Sequence, residues 1–182
     1  SPGFETQRTG HVGQDKIPPE LIGETELFKK KLCTVEEAIL GKQISDNAAQ
    51  EKITKICNML ISSFREQIIQ EPKIHKVIGT YIFRETFPFF MLSSFFDRAF
   101  RKPGGYVSDC YITELLSQNE PEGDVYIGVY LDRWIRSLPT CMALKNRGGI
   151  ITATIKELGE NWVVDTPMPV TCVASGSASE IL

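Results

Sequence analysis

The chain has 182 residues, enough for a substantial core, and its apolar and charged fractions of 42% and 24% are ordinary for a folded protein. Its formal net charge of −3 argues against a nucleic-acid-binding protein, which would carry a basic excess. No apolar run reaches the ~18 residues needed to span a membrane, and the richest stretch, Thr86 to Phe100, is broken by Pro88, Asp97 and Arg98.

Residues 1–16 read as a disordered leader or an expression remnant. Helices are expected from about Pro18 onward. Thr34-Val-Glu-Glu37 resembles a capping box, with Thr34 as N-cap, and Gly41 suits a C-terminal end. A stronger helix begins near Ser45, where Ile53, Ile56, Cys57, Leu60, Ile61, Phe64 and Ile68 keep an i, i+3, i+4 rhythm until Glu71-Pro72. Pro72 can open the next helix, with Ile74, Val77, Ile78, Tyr81 and Ile82 on one face. Pro88 kinks or interrupts it, and Phe89 to Phe100 is apolar almost all round. Phe89, Phe90, Leu92, Phe95 and Phe96 are therefore expected in the centre of a helical bundle.

Arg101-Lys-Pro-Gly-Gly105 reads as a loop, and Ser108 or Asp109 can cap a helix over Cys110 to Ser117. After a second loop, Gln118 to Asp124, a helix over Val125 to Leu138 carries Tyr126, Val129, Tyr130 and Trp134 on one side. Pro139 opens a last helix, ended by Gly159, with Cys141, Leu144, Ile151, Ile155 and Leu158 inward. The texture then changes. Trp162-Val-Val164 and Pro169-Val-Thr-Cys-Val-Ala174 are short runs rich in β-branched residues, suited to strands.

The five cysteines, Cys33, Cys57, Cys110, Cys141 and Cys172, form no CxxC pair and follow no secretory signal. Buried, reduced thiols in a cytoplasmic protein are expected. The two histidines, His11 and His75, stand at no metal-ligand spacing, so no metal site is expected.

Two segments carry chemistry. In the first, Phe96 to Asp109, Arg98, Arg101, Lys102, Tyr106 and Asp109 surround a Pro-Gly-Gly turn. From composition alone, a charged loop leaving an apolar helix, with Asp109 as a simple cap, is the plainer reading. In the second, a strand runs into Ser175-Gly-Ser-Ala-Ser179, where small residues let the backbone turn sharply against a ligand. A Ser/Gly-rich disordered tail is the plainer alternative.

Together the two segments resemble a bacterial family of S-adenosylmethionine-dependent methyltransferases. These enzymes make fatty-acid methyl ester signals such as 3-hydroxypalmitic acid methyl ester. The family carries Arg-Ala-Tyr-x-Lys-Pro-x-Gly-Tyr-x-x-Asp in a helical region. Arg98, Ala99, Lys102, Pro103, Gly105, Tyr106 and Asp109 match it, with Phe100 in place of the first tyrosine. Asn146-Arg147 matches an Asn-Arg pair in the family's last helix before the cofactor domain. Ala174, Gly176, Ala178 and Glu180-Ile181 fit its cofactor motif, although the usual outer glycines are alanines and Cys172 replaces a common acidic residue.

The resemblance covers about Pro88 to Leu182. It implies a mainly α fold: a helical bundle acting as a cap and leading into the first strand of a Rossmann-like α/β methyltransferase domain. Residues 17–160 would be the helical N-terminal domain and 161–182 the start of the cofactor-binding domain, cut short, so that the fragment alone is expected to be inactive. Tyr106 and Asp109 become candidate catalytic residues. Arg98, Arg101, Lys102, Asn146 and Arg147 become substrate-binding candidates, with a fatty-acid-like carboxylate as acceptor. Ala174, Ser175, Gly176, Ser177 and Ala178 would hold S-adenosylmethionine. Two alternatives stand beside this reading: a helical protein-interaction module, and a degenerate methyltransferase without cofactor binding. The Pro169 to Ala174 strand, without its partner strands, is expected to be loosely ordered, packed back on the helices, or paired with the same segment of another copy in a homodimer.

Overall fold

A computed structural model describes residues 17–70, 75–105, 110–118 and 120–171. Among these the chain is mainly helical, with seven helices and no strand beyond an isolated bridge between Ser93 and Gly123. It forms two compact units that meet in sequence between Pro88 and Phe89.

In the first unit, α1 (Pro19–Leu40) opens on a proline, whose missing N–H costs nothing in a first turn. Its buried residues Leu21, Thr25, Phe28, Leu32 and Val35 recur at helical spacing. They face α2 (Asp46–Gln70), which buries Ala49, Ile53, Ile56, Cys57 and Leu60. Ser45 caps α2 by accepting a bond from the Ala48 N–H at 3.3 Å. The third helix, α3 (His75–Phe90), adds Ile78 and Tyr81 to a cluster with Ile17 and Leu21.

Thr34 corrects the expected helix start. It lies inside α1, and its Oγ1 donates to the Lys30 carbonyl at 3.0 Å instead of capping. Gly41 does take the C-cap position of this longer helix.

In the second unit, α4 (Ser94–Arg101), α5 (Cys110–Gln118), α6 (Val125–Arg136) and α7 (Pro139–Glu160) surround Phe95, Ile112, Leu115, Leu116, Ile127, Leu131, Trp134 and Ile135. The apolar run breaks at Met91 and Leu92, not at Pro88, which α3 accommodates near its end. Of the aromatic run only Phe95 is fully buried, while Phe89, Phe90, Leu92 and Phe96 are half-buried. Phe90 stacks on Trp134 with ring centroids 5.6 Å apart.

The inner face of α6 is Ile127, Leu131, Trp134 and Ile135, whereas Tyr126 is 53% exposed. A further expectation is corrected in α7. The distal part of α7 is not inward: Ile151 and Leu158 are 39% and 57% exposed, and only Cys141 of that helix is fully buried. After α7 the backbone turns, Trp162 Nε1 donating to the Thr166 carbonyl at 2.7 Å, and Trp162 to Val164 form no strand. Residues 169–171 form none either, and the rest of the expected strand, Cys172 to Ala174, lies outside the described residues.

Candidate functional site

The basic segment is built on α4. This eight-residue helix is too short to hold itself together in water, so its position comes from what grips its ends. At its start Ser93 is the N-cap, accepting from the Phe96 N–H at 3.1 Å. Ser93 in turn donates to Asp132 Oδ1 at 2.7 Å, and the Phe95 N–H donates to the same oxygen at 2.9 Å. Asp132 is fully buried on α6. Its other oxygen accepts from the Glu122 N–H at 3.1 Å and from Arg136 Nε at 2.5 Å. Arg136, with a side chain 10% exposed, also donates to the Leu115 carbonyl at the end of α5. One carboxylate thus joins the start of α4, the loop before α6, and α6 itself. A buried charge persists when it is paired and its lone pairs are filled, and Asp132 meets both conditions.

Two glycines let these pieces close up. A Cβ on Gly128 would lie 2.5 Å from the Leu92 carbonyl oxygen, and one on Gly123 would lie 2.2 Å from the Gly128 carbonyl carbon. Backbone therefore packs directly on backbone, and the Asp124 N–H reaches the Leu92 carbonyl at 2.8 Å.

At the other end of α4 stand the cations. Arg98 is half-buried, its guanidinium 4.1 Å from the centre of the Tyr111 ring, a cation–π arrangement that fixes its direction. Arg101 is exposed and pairs with Asp97 at 2.8 Å. Lys102 ends the helix in the left-handed region (φ 47°), and its N–H bonds the Arg98 carbonyl at 3.0 Å. Gly105 follows with φ 85°, a conformation that glycine adopts without strain. Arg98 and Arg101 also lie in the last turn, where positive charge suits the helix dipole.

The structure thus gathers Arg98, Arg101 and Lys102 on one helix end. Asn146 and Arg147 lie exposed on α7. Tyr106, Asp109 and the expected cofactor turn Ala174, Ser175, Gly176, Ser177 and Ala178 lie outside the described residues. No family model, curated protein or solved structure matches the chain. Among the described residues no group of three or more His, Cys, Asp or Glu side chains is placed to hold a metal ion, and no helix is long and apolar enough to cross a membrane. A shallow groove between α1 and α2, floored by Leu27, Phe28, Ile56 and Met59, contains none of the residues expected to carry chemistry.

Sequence reasoning missed Asp132 and Tyr111. A signal for the first was present: Asp132 follows the apolar pair Tyr130-Leu131 within a helix and has Arg136 four residues on, an i, i+4 pair at a core position. Nothing local marks Tyr111 as the platform under Arg98.

Proposed function

We propose that the helices from Phe89 onward form the cap of an S-adenosylmethionine-dependent methyltransferase whose acceptor is a fatty-acid-like carboxylate. The observation that carries this reading is the arrangement of Arg98, Arg101 and Lys102 on the free end of a helix whose other end is locked by Asp132. Of the motif residues resembling the family, Arg98, Ala99, Lys102, Pro103 and Gly105 stand in or just after the last turn of α4, while the residues that hold the start of α4 are elsewhere in the sequence.

S-adenosylmethionine would supply an electrophilic methyl group on sulfur. The turn that would bind it, Ala174 to Ala178, lies outside the described residues, and the described ones bear on the acceptor. A carboxylate is already a nucleophile at neutral pH and needs no base. It does need to be oriented and shielded from water. A guanidinium binds a carboxylate with two parallel N–H bonds, and Arg98, stacked on Tyr111, is restrained for that task. Arg101 and Lys102 add attraction at the rim.

Calorimetry with S-adenosylmethionine on a version of the protein extended past Leu182 tests the reading. Stoichiometric binding is expected, with Arg98→Ala raising KM for a fatty-acid acceptor about tenfold and leaving cofactor affinity unchanged. Absence of cofactor binding in a folded protein would sink the reading and favour a degenerate enzyme. A second reading, a helical protein-interaction module, draws on the exposed apolar side chains of α7. It expects binding to a protein partner with no dependence on S-adenosylmethionine.

A further inference from the structure

The outer side of α7 is unlike that of the other helices in the second unit. At ~100° per residue, Cys141, Leu144, Gly148, Thr152 and Ile155 fall on one side, and these are its buried and half-buried positions. A neighbouring stripe holds Ile150, Ile151, Thr154 and Leu158, all exposed. Ile150 and Leu158 are 67% and 57% exposed, which is unusual for side chains of that size on one continuous helix face. The stripe is flanked by Arg147 near one end and Glu157 near the other. Both are exposed, and neither forms an ion pair among the described residues. On one helix they stand ten residues apart, ~15 Å along the axis, too far to meet each other.

We propose that this stripe is a self-association surface, on which α7 packs antiparallel against α7 of a second copy. A two-fold axis between Ile151 and Thr154 makes the contact self-complementary, so that each residue meets its symmetry counterpart's neighbour. The axis sets Ile151 of one chain against Thr154 of the other, with Ile150 and Leu158 completing the contact on either side. It also brings Arg147 beside Leu158 and Glu157 of the second copy, the arginine stem on the leucine and the guanidinium at the carboxylate. Reversing one helix turns two unpaired charges into two cross-chain ion pairs. A parallel arrangement would instead place like charges together. The apolar stripe supplies the attraction and the charges fix register and direction. The surface is small, so the dimer is weak and concentration-dependent. The inference does not rest on methyl transfer and uses none of Arg98, Arg101 or Lys102; it does use Arg147, a substrate-binding candidate by the family resemblance, but only as a surface charge.

Sedimentation velocity on the chain over a wide concentration range tests it. A reversible monomer–dimer equilibrium is expected. Arg147→Glu and Glu157→Arg should each weaken dimerisation about tenfold by setting like charges across the axis, and the double charge reversal should restore it. Ile151→Asp should leave only monomer. All three positions are exposed, so helix content by circular dichroism should not change. A wild-type chain that stays monomeric throughout overturns the proposal. So does a dimer that survives Ile151→Asp, or a double reversal that fails to recover association.

Discussion

Glu85 on α3 meets Lys29 of α1 at 2.5 Å, and both side chains are about four-fifths buried. The hydrogen bond from Lys29 holds the Glu85 carboxyl below its ordinary pKa, overcoming the opposing effect of burial. Lys29 is affected in the opposite sense: burial pulls its pKa down, but bonds to Glu26 and Glu85 outweigh that and raise it. The two shifts set a pH window. The lowered glutamate stabilises the fold fully above its ordinary pKa, and that contribution disappears as pH falls through the lowered value. The raised lysine stabilises fully below its ordinary pKa, and that contribution disappears as pH rises through the raised value. Glu85→Gln is therefore expected to cost about 1 kcal/mol at neutral pH. The gap between variant and wild type should close as acid protonates Glu85. Urea melts at neutral pH and in acid would measure this, and a gap independent of pH would contradict the assigned role.

At the scale of elements, the junction of α4 with α6 is where single changes should matter most. An added methyl at Gly128 would press on backbone that no side-chain rotation can relieve, so Gly128→Ala is expected to destabilise by ~2–3 kcal/mol. Asp132→Ala would strip partners from Ser93, Phe95, Glu122 and buried Arg136 together, at ~3–5 kcal/mol. A denaturation midpoint close to wild type in either variant would show that the junction is looser than described. These features also mark the limit of what the sequence discloses. The course of α2 was legible because Ile53, Ile56, Cys57 and Leu60 repeat at the helical period and all are buried. The start of α1 was not, because Thr34 and Glu37 have capping-box chemistry but no break in the backbone beside them. On α6 hydrophobicity alone ranks Tyr126 above Asp132, yet Asp132 is fully buried and Tyr126 exposed. Asp132 is held inside by contacts with residues 93, 95 and 122, which no local pattern reveals. Arg98, Arg101 and Lys102 were legible as neighbours because one helical turn joins them.

Each unit of the whole molecule has its own buried cluster, and each contains a natural reporter. Cys57 lies in the first, its thiol pKa pushed up by burial to about 12, so it is both enclosed and poorly nucleophilic. Trp134 lies in the second, 3% exposed. With Trp162 replaced by Phe to remove the 40%-exposed second indole, Trp134 fluorescence reports one unit and Cys57 labelling the other. Exposed Cys33 gives the reference labelling rate. The two reporters are expected to change at different denaturant concentrations, because two cores need not melt as one. Coincident transitions would instead mean that the units unfold as a single cooperative body.

The ligands of Asp132 also have a consequence for synthesis. A ribosome delivers the chain from its N-terminus, and Ser93 and Phe95 emerge 39 and 37 residues ahead of the carboxylate that anchors them. The first unit by then has every residue of its cluster, from Ile17 to Ile82. The second waits with α4 not yet anchored by Asp132 and the phenylalanines around it in contact with solvent or chaperone. A translational pause before Asp132 and Arg136 have left the ribosome would prolong that interval, and one after both have emerged would not.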